Sequence, residues 1–241
     1  MPKYPKAPII EVVFEMFFQP KKWDLTIPGL LWSRIQHDFP TTRPLPRTGF
    51  VMGPGGLSVR TENSDVTQFL SEGGNCLTQL GNGMLTVNRL APYESWEEFY
   101  PKIALVLSAY YELNGIEKIT RLGFRYINKI NRQGKQGIEN VSQVLKLHPT
   151  YPPELGENFI TINSVNEFLG ESENERLIIQ TNTLKPDSDG EAPILLDISY
   201  VNIAPTFVSK EDVNDWLVLA HEKASNAFEA VITEDYKKEI K

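Results

Sequence analysis

Alternation is the clearest pattern along the chain. Ile10, Val12, Phe14, Met16 and Phe18 fall on one face of an extended segment, with Glu11, Val13 and Glu15 on the other, because successive side chains of a strand point to opposite faces. Leu122, Phe124, Tyr126 and Ile130 repeat the pattern, opposed by Arg121, Arg125, Ile127 and Lys129. Elsewhere the period is that of a helix. Trp96, Phe99, Tyr100, Ile103, Val106, Leu107, Tyr110 and Leu113 recur at spacings of three and four, which makes one wide apolar stripe. Ser95 and Glu98 stand where a capping box would open this helix, and Asn114-Gly115 where it would stop. A second long helix starts at Ser209 and Asp212, with Val213, Trp216, Leu217, Ala220, Ala224, Ala227, Phe228 and Val231 on one side.

Weaker signals fill the intervals. A helix beginning at Thr26 and Pro28 carries Leu30, Leu31 and Ile35 and ends in the stretch from Pro40 to Pro46. Strand-like runs follow at 49–60, 66–73 and 76–89, and Gly73-Gly74-Asn75 and Gly81-Asn82-Gly83 mark hairpin turns. After the strand at 121–130 come a short helix at 138–147 and strands at 158–168, 175–184 and 193–203. One short string occurs twice: Val87-Asn88-Arg89-Leu90-Ala91-Pro92 leads into Ser95, and Val201-Asn202-Ile203-Ala204-Pro205 leads into Ser209. Each half thus reads β-α-β-β-β-α. The expected fold class is α+β, with two such repeats, 1–115 and 116–241, packed as one globular unit. Together they form a mainly antiparallel curved sheet with helices on one face. This order is similar to that of helix-grip and TATA-binding-protein-like folds, a likeness of architecture that carries no function. The tail from Glu234 to Lys241, of mixed charge, is expected to fray.

Composition narrows the chemistry. The chain is 41% hydrophobic and 23% charged with a net charge of −7, ordinary for a globular protein and unfavourable for non-specific attraction to nucleic acid or anionic membrane. The single cysteine, Cys76, excludes an internal disulfide framework. With no signal-peptide pattern and no run near the roughly 18 apolar residues of a membrane span, the chain reads as soluble and cytoplasmic. His37, His148 and His221 stand in no metal-ligand spacing, and Cys76 sits in no nucleophile signature. Gly53-Pro54-Gly55-Gly56 lacks the lysine and serine or threonine of a P-loop. The acid pairs Glu97-Glu98, Glu171 with Glu173, and Asp187 with Asp189 read as solvated, as do a basic loop at 132–137 and an acidic one at 186–191. No catalytic residue, metal or cofactor is assigned.

Opposite charge on the two alternating strands admits two readings. Glu11 and Glu15 could pair with Arg125 and Arg121 across an antiparallel junction, an interaction of roughly 0.2–1 kcal/mol per pair. Alternatively Arg60, Arg89, Arg121 and Arg125 line one sheet face and bind an anion, since the guanidinium fork suits carboxylate and phosphate.

Three segments carry a resemblance: Tyr4 to Val12, Leu85 to Tyr93, and Arg121 to Asn128. Together with Phe228 to Thr233 they resemble a sporadically distributed family of uncharacterised bacterial proteins of about this length. That patchy distribution is similar to that of genes on mobile elements, including toxin–antitoxin and phage-defence genes. The resemblance implies a protein partner and supplies no active-site residue. The expected function is therefore non-enzymatic binding through protein–protein contacts, as a partner or inhibitor subunit. The alternative is a nucleotide- or nucleic-acid-binding protein that uses the four arginines. An exposed edge strand would also offer a route to a homo-oligomer.

Overall fold

The computed structural model describes residues 4–53, 56–131, 139–149, 152, 154, 161–184 and 192–241, with the side chains of 46–64, 139 and 140 outside the description. Gly53-Pro54-Gly55-Gly56 and the two charged loops thus lie wholly or partly outside it, as does the start of the expected strand at 158–168.

The elements run β1 (Ile9–Pro20), α1 (Ile27–Ile35), β2 (Thr41–Gly53), β3 (Gly56–Leu70), β4 (Cys76–Gly81), β5 (Met84–Leu90), α2 (Trp96–Leu113) and β6 (Ile116–Ile130). Then come α3 (Glu139–Val144), β7 (Asn163–Leu169), β8 (Glu175–Thr183), β9 (Ile194–Asn202), α4 (Lys210–Val231) and α5 (Glu234–Glu239). Among the described residues the strands form one nine-stranded antiparallel sheet in the order β2-β3-β4-β5-β1-β6-β9-β8-β7. The fold is α+β, as alternation and periodicity required.

Alternation on β1 and β6 sets the core. Val12, Phe14, Met16 and Phe18 face the helices with Leu122, Phe124 and Tyr126, all buried. Burying each such side chain is worth roughly 1.5–3 kcal/mol, so the central pair anchors the sheet. α2 and α4 lay their apolar stripes over it, and one hydrophobic cluster runs through both halves. Both helices open as expected: Ser95 Oγ accepts from the Glu98 N–H at 3.3 Å, and Ser209 Oγ from the Asp212 N–H at 3.1 Å. α1 buries Ile27, Leu31 and Ile35 but leaves Leu30 outside.

Among the described residues four strands lie between α1 and α2 and three between α3 and α4, so the expected pair of equal β-α-β-β-β-α repeats is not confirmed. Of the expected strand at 49–60, residues 49–53 belong instead to β2 and residues 56–60 to β3, paired antiparallel. Pro44 and Pro46, which read as a break, lie within β2, at the sheet edge, where a missing N–H costs no ladder bond on the open side. The turn at Gly81-Asn82-Gly83 is as expected. Gly83 has φ +77, and a Cβ there would stand 2.6 Å from the Phe18 carbonyl oxygen, which only glycine permits.

The tail departs from expectation by folding back. Thr233 caps α5, Tyr236 and Ile240 are buried, and the Lys6 N–H donates to the Ile240 carbonyl at 3.2 Å. Two apolar residues spaced four apart are enough to dock it.

Candidate functional site

Register decides where the arginines go. On β5, Arg89 lies across from Val12 and Cys76, both core-facing, so its side chain leaves on the helical side. There it forms an ion pair with Glu94 and donates to Asn75 Oδ1 at 3.0 Å. Arg121 and Arg125 leave from the opposite face, where they pair with Glu15 and Asp197. Arg60 is on β3, with its side chain outside the description. The structure does not bring Arg89 onto the surface that carries Arg121 and Arg125.

The cross-strand pairing expected from alternation forms at Glu15–Arg121 but not at Glu11–Arg125. Glu11 accepts instead from Asn88 Nδ2 at 2.6 Å, which leaves Arg125 to Asp197 of β9. Gly123 makes the Glu15 contact possible. It sits opposite Glu15, and a Cβ there would stand 2.5 Å from Glu15 Oε1 and 2.7 Å from Cγ. Gly123→Ala should therefore push Glu15 off Arg121 and cost about 1–2 kcal/mol in urea unfolding. The same substitution in a Glu15→Ala background should cost much less, since the clash is then gone. Equal costs in both backgrounds would show that the glycine serves something other than Glu15.

A concavity with converging polar and aromatic groups lies elsewhere, where α2 begins beside β6 and α4. A cavity of about 290 Å³ is lined there by Tyr4, Tyr93, Trp96, Glu97, Tyr126 and His221, with Glu94 and Ser95 adjoining. Trp96 and His221 stack with ring centres 4.1 Å apart and planes within 2°. Tyr93 meets Tyr126 edge to face at 5.9 Å. A polar chain threads the rings: the Tyr93 and Tyr126 hydroxyls are 3.4 Å apart, and the Tyr126 hydroxyl is 2.8 Å from His221 Nδ1. Imidazole nitrogen is a better acceptor than a phenol oxygen, so Tyr126 donates to Nδ1 and the His221 proton sits on Nε2.

Burial sets the protonation of this chain. It pushes Tyr126 well above the ordinary phenol range and Tyr93 up to about 12, and it pushes His221 down to about 4, since desolvation disfavours each charged form. All three are neutral at physiological pH. Cys76, also buried, is pushed up to about 11, which leaves it a thiol rather than a nucleophile. Among the described residues no group of three or more His, Cys, Asp or Glu is placed to hold a metal ion.

The sequence places Trp96 in the apolar stripe of α2 and His221 in no metal-ligand spacing. A signal for His221 was present: Leu217, His221, Ala224 and Phe228 share the helical spacing of the buried stripe. Its contact with Tyr126, 95 positions earlier in the chain, was not legible. No protein-family model matches the chain, and no curated protein matches its sequence.

Proposed function

We propose that the chain is a non-enzymatic binding protein that acts through contacts with a protein partner, as a partner or inhibitor subunit in the cytoplasm. The observation that carries this reading is the aromatic pocket at the start of α2, where Trp96 stacks on His221 and burial encloses the polar chain of Tyr93, Tyr126 and His221. Acid–base catalysis is served best by groups that titrate near the working pH, whereas Tyr93, Tyr126 and His221 are all held far from it by burial. Such a pocket suits recognition rather than proton transfer. Val165, Phe168 and Leu169 on β7, an edge strand among the described residues, are exposed, and they give a partner further apolar surface. Duplication of an ancestral unit about the β1–β6 junction belongs to the same proposal, with β1 and β6 as equivalent strands.

The nucleic-acid reading requires Arg121 and Arg125 to exchange Glu15 and Asp197 for phosphate. Native affinity purification of the tagged chain from its host separates the two readings. A stoichiometric protein partner that is lost on Trp96→Ala is expected. Recovery of the chain with bound nucleotide or nucleic acid, lost on replacing Arg121 and Arg125 by alanine, would overturn the proposal.

A further inference from the structure

We infer that the cavity at the start of α2 is a receptor for an organic cation, either an alkylated ammonium or a guanidinium. The inference rests on reading the chain as a binding protein, and it names the chemistry its pocket recognises. Tyr4, Tyr93, Trp96 and Tyr126 all line the cavity. The faces of such rings carry the negative end of a quadrupole and attract a cation within about 6 Å, indole most strongly. Tyr93 and Tyr126 stand at 78° to each other, so the two rings form a corner rather than a flat wall. The Tyr4 hydroxyl donates to Glu229 Oε2 at 2.9 Å.

Charge agrees with the rings. Among the described residues, those lining the cavity include no lysine or arginine, and the imidazole of His221, stacked on Trp96, adds aromatic surface while itself uncharged. Of the two acids there, Glu94 is held by Arg89, whereas Glu97 makes no ion pair among the described residues. Glu97 is exposed, so it stands at the rim, where a carboxylate would meet an incoming cation. Size supplies a further restriction. At about 290 Å³ the cavity lies at the small end of the roughly 300–1,000 Å³ typical of ligand sites, which suits a side-chain head group or a small amine better than a nucleotide. The net charge of −7 draws cations toward the whole molecule.

The test uses the full chain, following the indole N–H signal of Trp96 by NMR, assigned by its loss in Trp96→Phe. Two probes are titrated: choline, and its uncharged isostere in which a tert-butyl group replaces the trimethylammonium. Choline is expected to shift the Trp96 signal and to bind about tenfold more tightly than the isostere. Glu97→Gln, a change at an exposed position, should weaken choline several-fold and leave the isostere unchanged. Equal binding of the two probes would make the cavity merely apolar and overturn the inference, as would a Trp96 signal that neither probe moves. A glycine-flanked arginine peptide then separates the sources of the cation. Displacement of choline by the peptide at lower concentration assigns the cation to a partner protein, and failure to displace it assigns the site to a free amine. The two levels of the argument also fail separately. If choline leaves Trp96 unmoved while the tagged chain still recovers its partner, the cation inference falls and the binding-protein reading stands. Choline binding by a chain that recovers no partner means the reverse.

Discussion

Glu175→Ala should lower stability by roughly 4 kcal/mol, the largest effect expected here of a single substitution. Glu175 is buried at the start of β8, and its two oxygens accept three donors. Trp216 Nε1 of α4 donates to Oε1 at 2.9 Å, while the Ser172 N–H and the Tyr200 hydroxyl donate to Oε2 at 3.1 and 3.2 Å. The backbone crowds in around it, for a Cβ on Gly170 would stand 2.6 Å from the Glu175 Cβ. Truncation leaves three donors in a space that water enters poorly, and each loses a bond worth roughly 1.5–3 kcal/mol when the acceptor is a carboxylate. At about 2–4 °C per kcal/mol for a chain of this size, the melting temperature should fall by roughly 8–16 °C. Glu175→Gln sharpens the test. An amide offers an acceptor on one side only, so it can serve Trp216 or the Ser172–Tyr200 pair but not both. It should lose about half as much. A glutamine variant as stable as the parent would mean that the three contacts do not act as a network.

Acidification should destabilise the protein through His221. Its folded value is pushed down to about 4 from an ordinary 6.5, chiefly by burial. Between those values the unfolded chain binds a proton that the folded chain does not, so stability is full above about pH 6.5 and falls as pH drops toward 4, then levels off. Each pH unit in the window corresponds to at most about 1.4 kcal/mol. His221 is only partly buried, and solvent screening reduces the full loss to roughly 2 kcal/mol. Carboxylates as a class titrate toward the lower end of this range, although hydrogen bonding holds Glu97, in the same pocket, below its ordinary value, so the informative quantity is a difference. In urea unfolding at pH 7.5 and pH 5, His221→Gln should lose less stability than the parent, because glutamine can still accept from Tyr126 and carries no proton. Parallel pH curves for the two proteins would show that His221 is not desolvated in the way described.

Several features are legible in the residues alone. The two long helices are, because period and cap coincide: the stripe from Phe99 to Tyr110 follows Ser95, and the stripe from Val213 to Val231 follows Ser209. β1 and β6 are legible because strict alternation has one physical meaning, a strand with one buried face. The pair Glu15–Arg121 follows from that alternation once antiparallel pairing is assumed. The β2–β3 hairpin is hidden because proline speaks of a break in the middle of a sheet and of nothing in particular at its edge. Which of those situations applies is a property of strand order, and strand order is not local. The docked tail is hidden for a related reason: the value of Tyr236 and Ile240 depends on a surface made by other elements.

By itself, then, the sequence determined the α+β class, the strand character of β1 and β6 with one buried face each, and the two long helices. These follow from contacts between near neighbours in the chain, where periodicity is a direct record of which side faces water. Tertiary structure alone decided the facing of Arg89 against Arg121 and Arg125, and the meeting of Trp96, Tyr126 and His221. Both depend on how far one strand slides past another and on where α4 crosses β6. Those quantities are set by the summed packing of the whole core, and no short stretch of residues carries them.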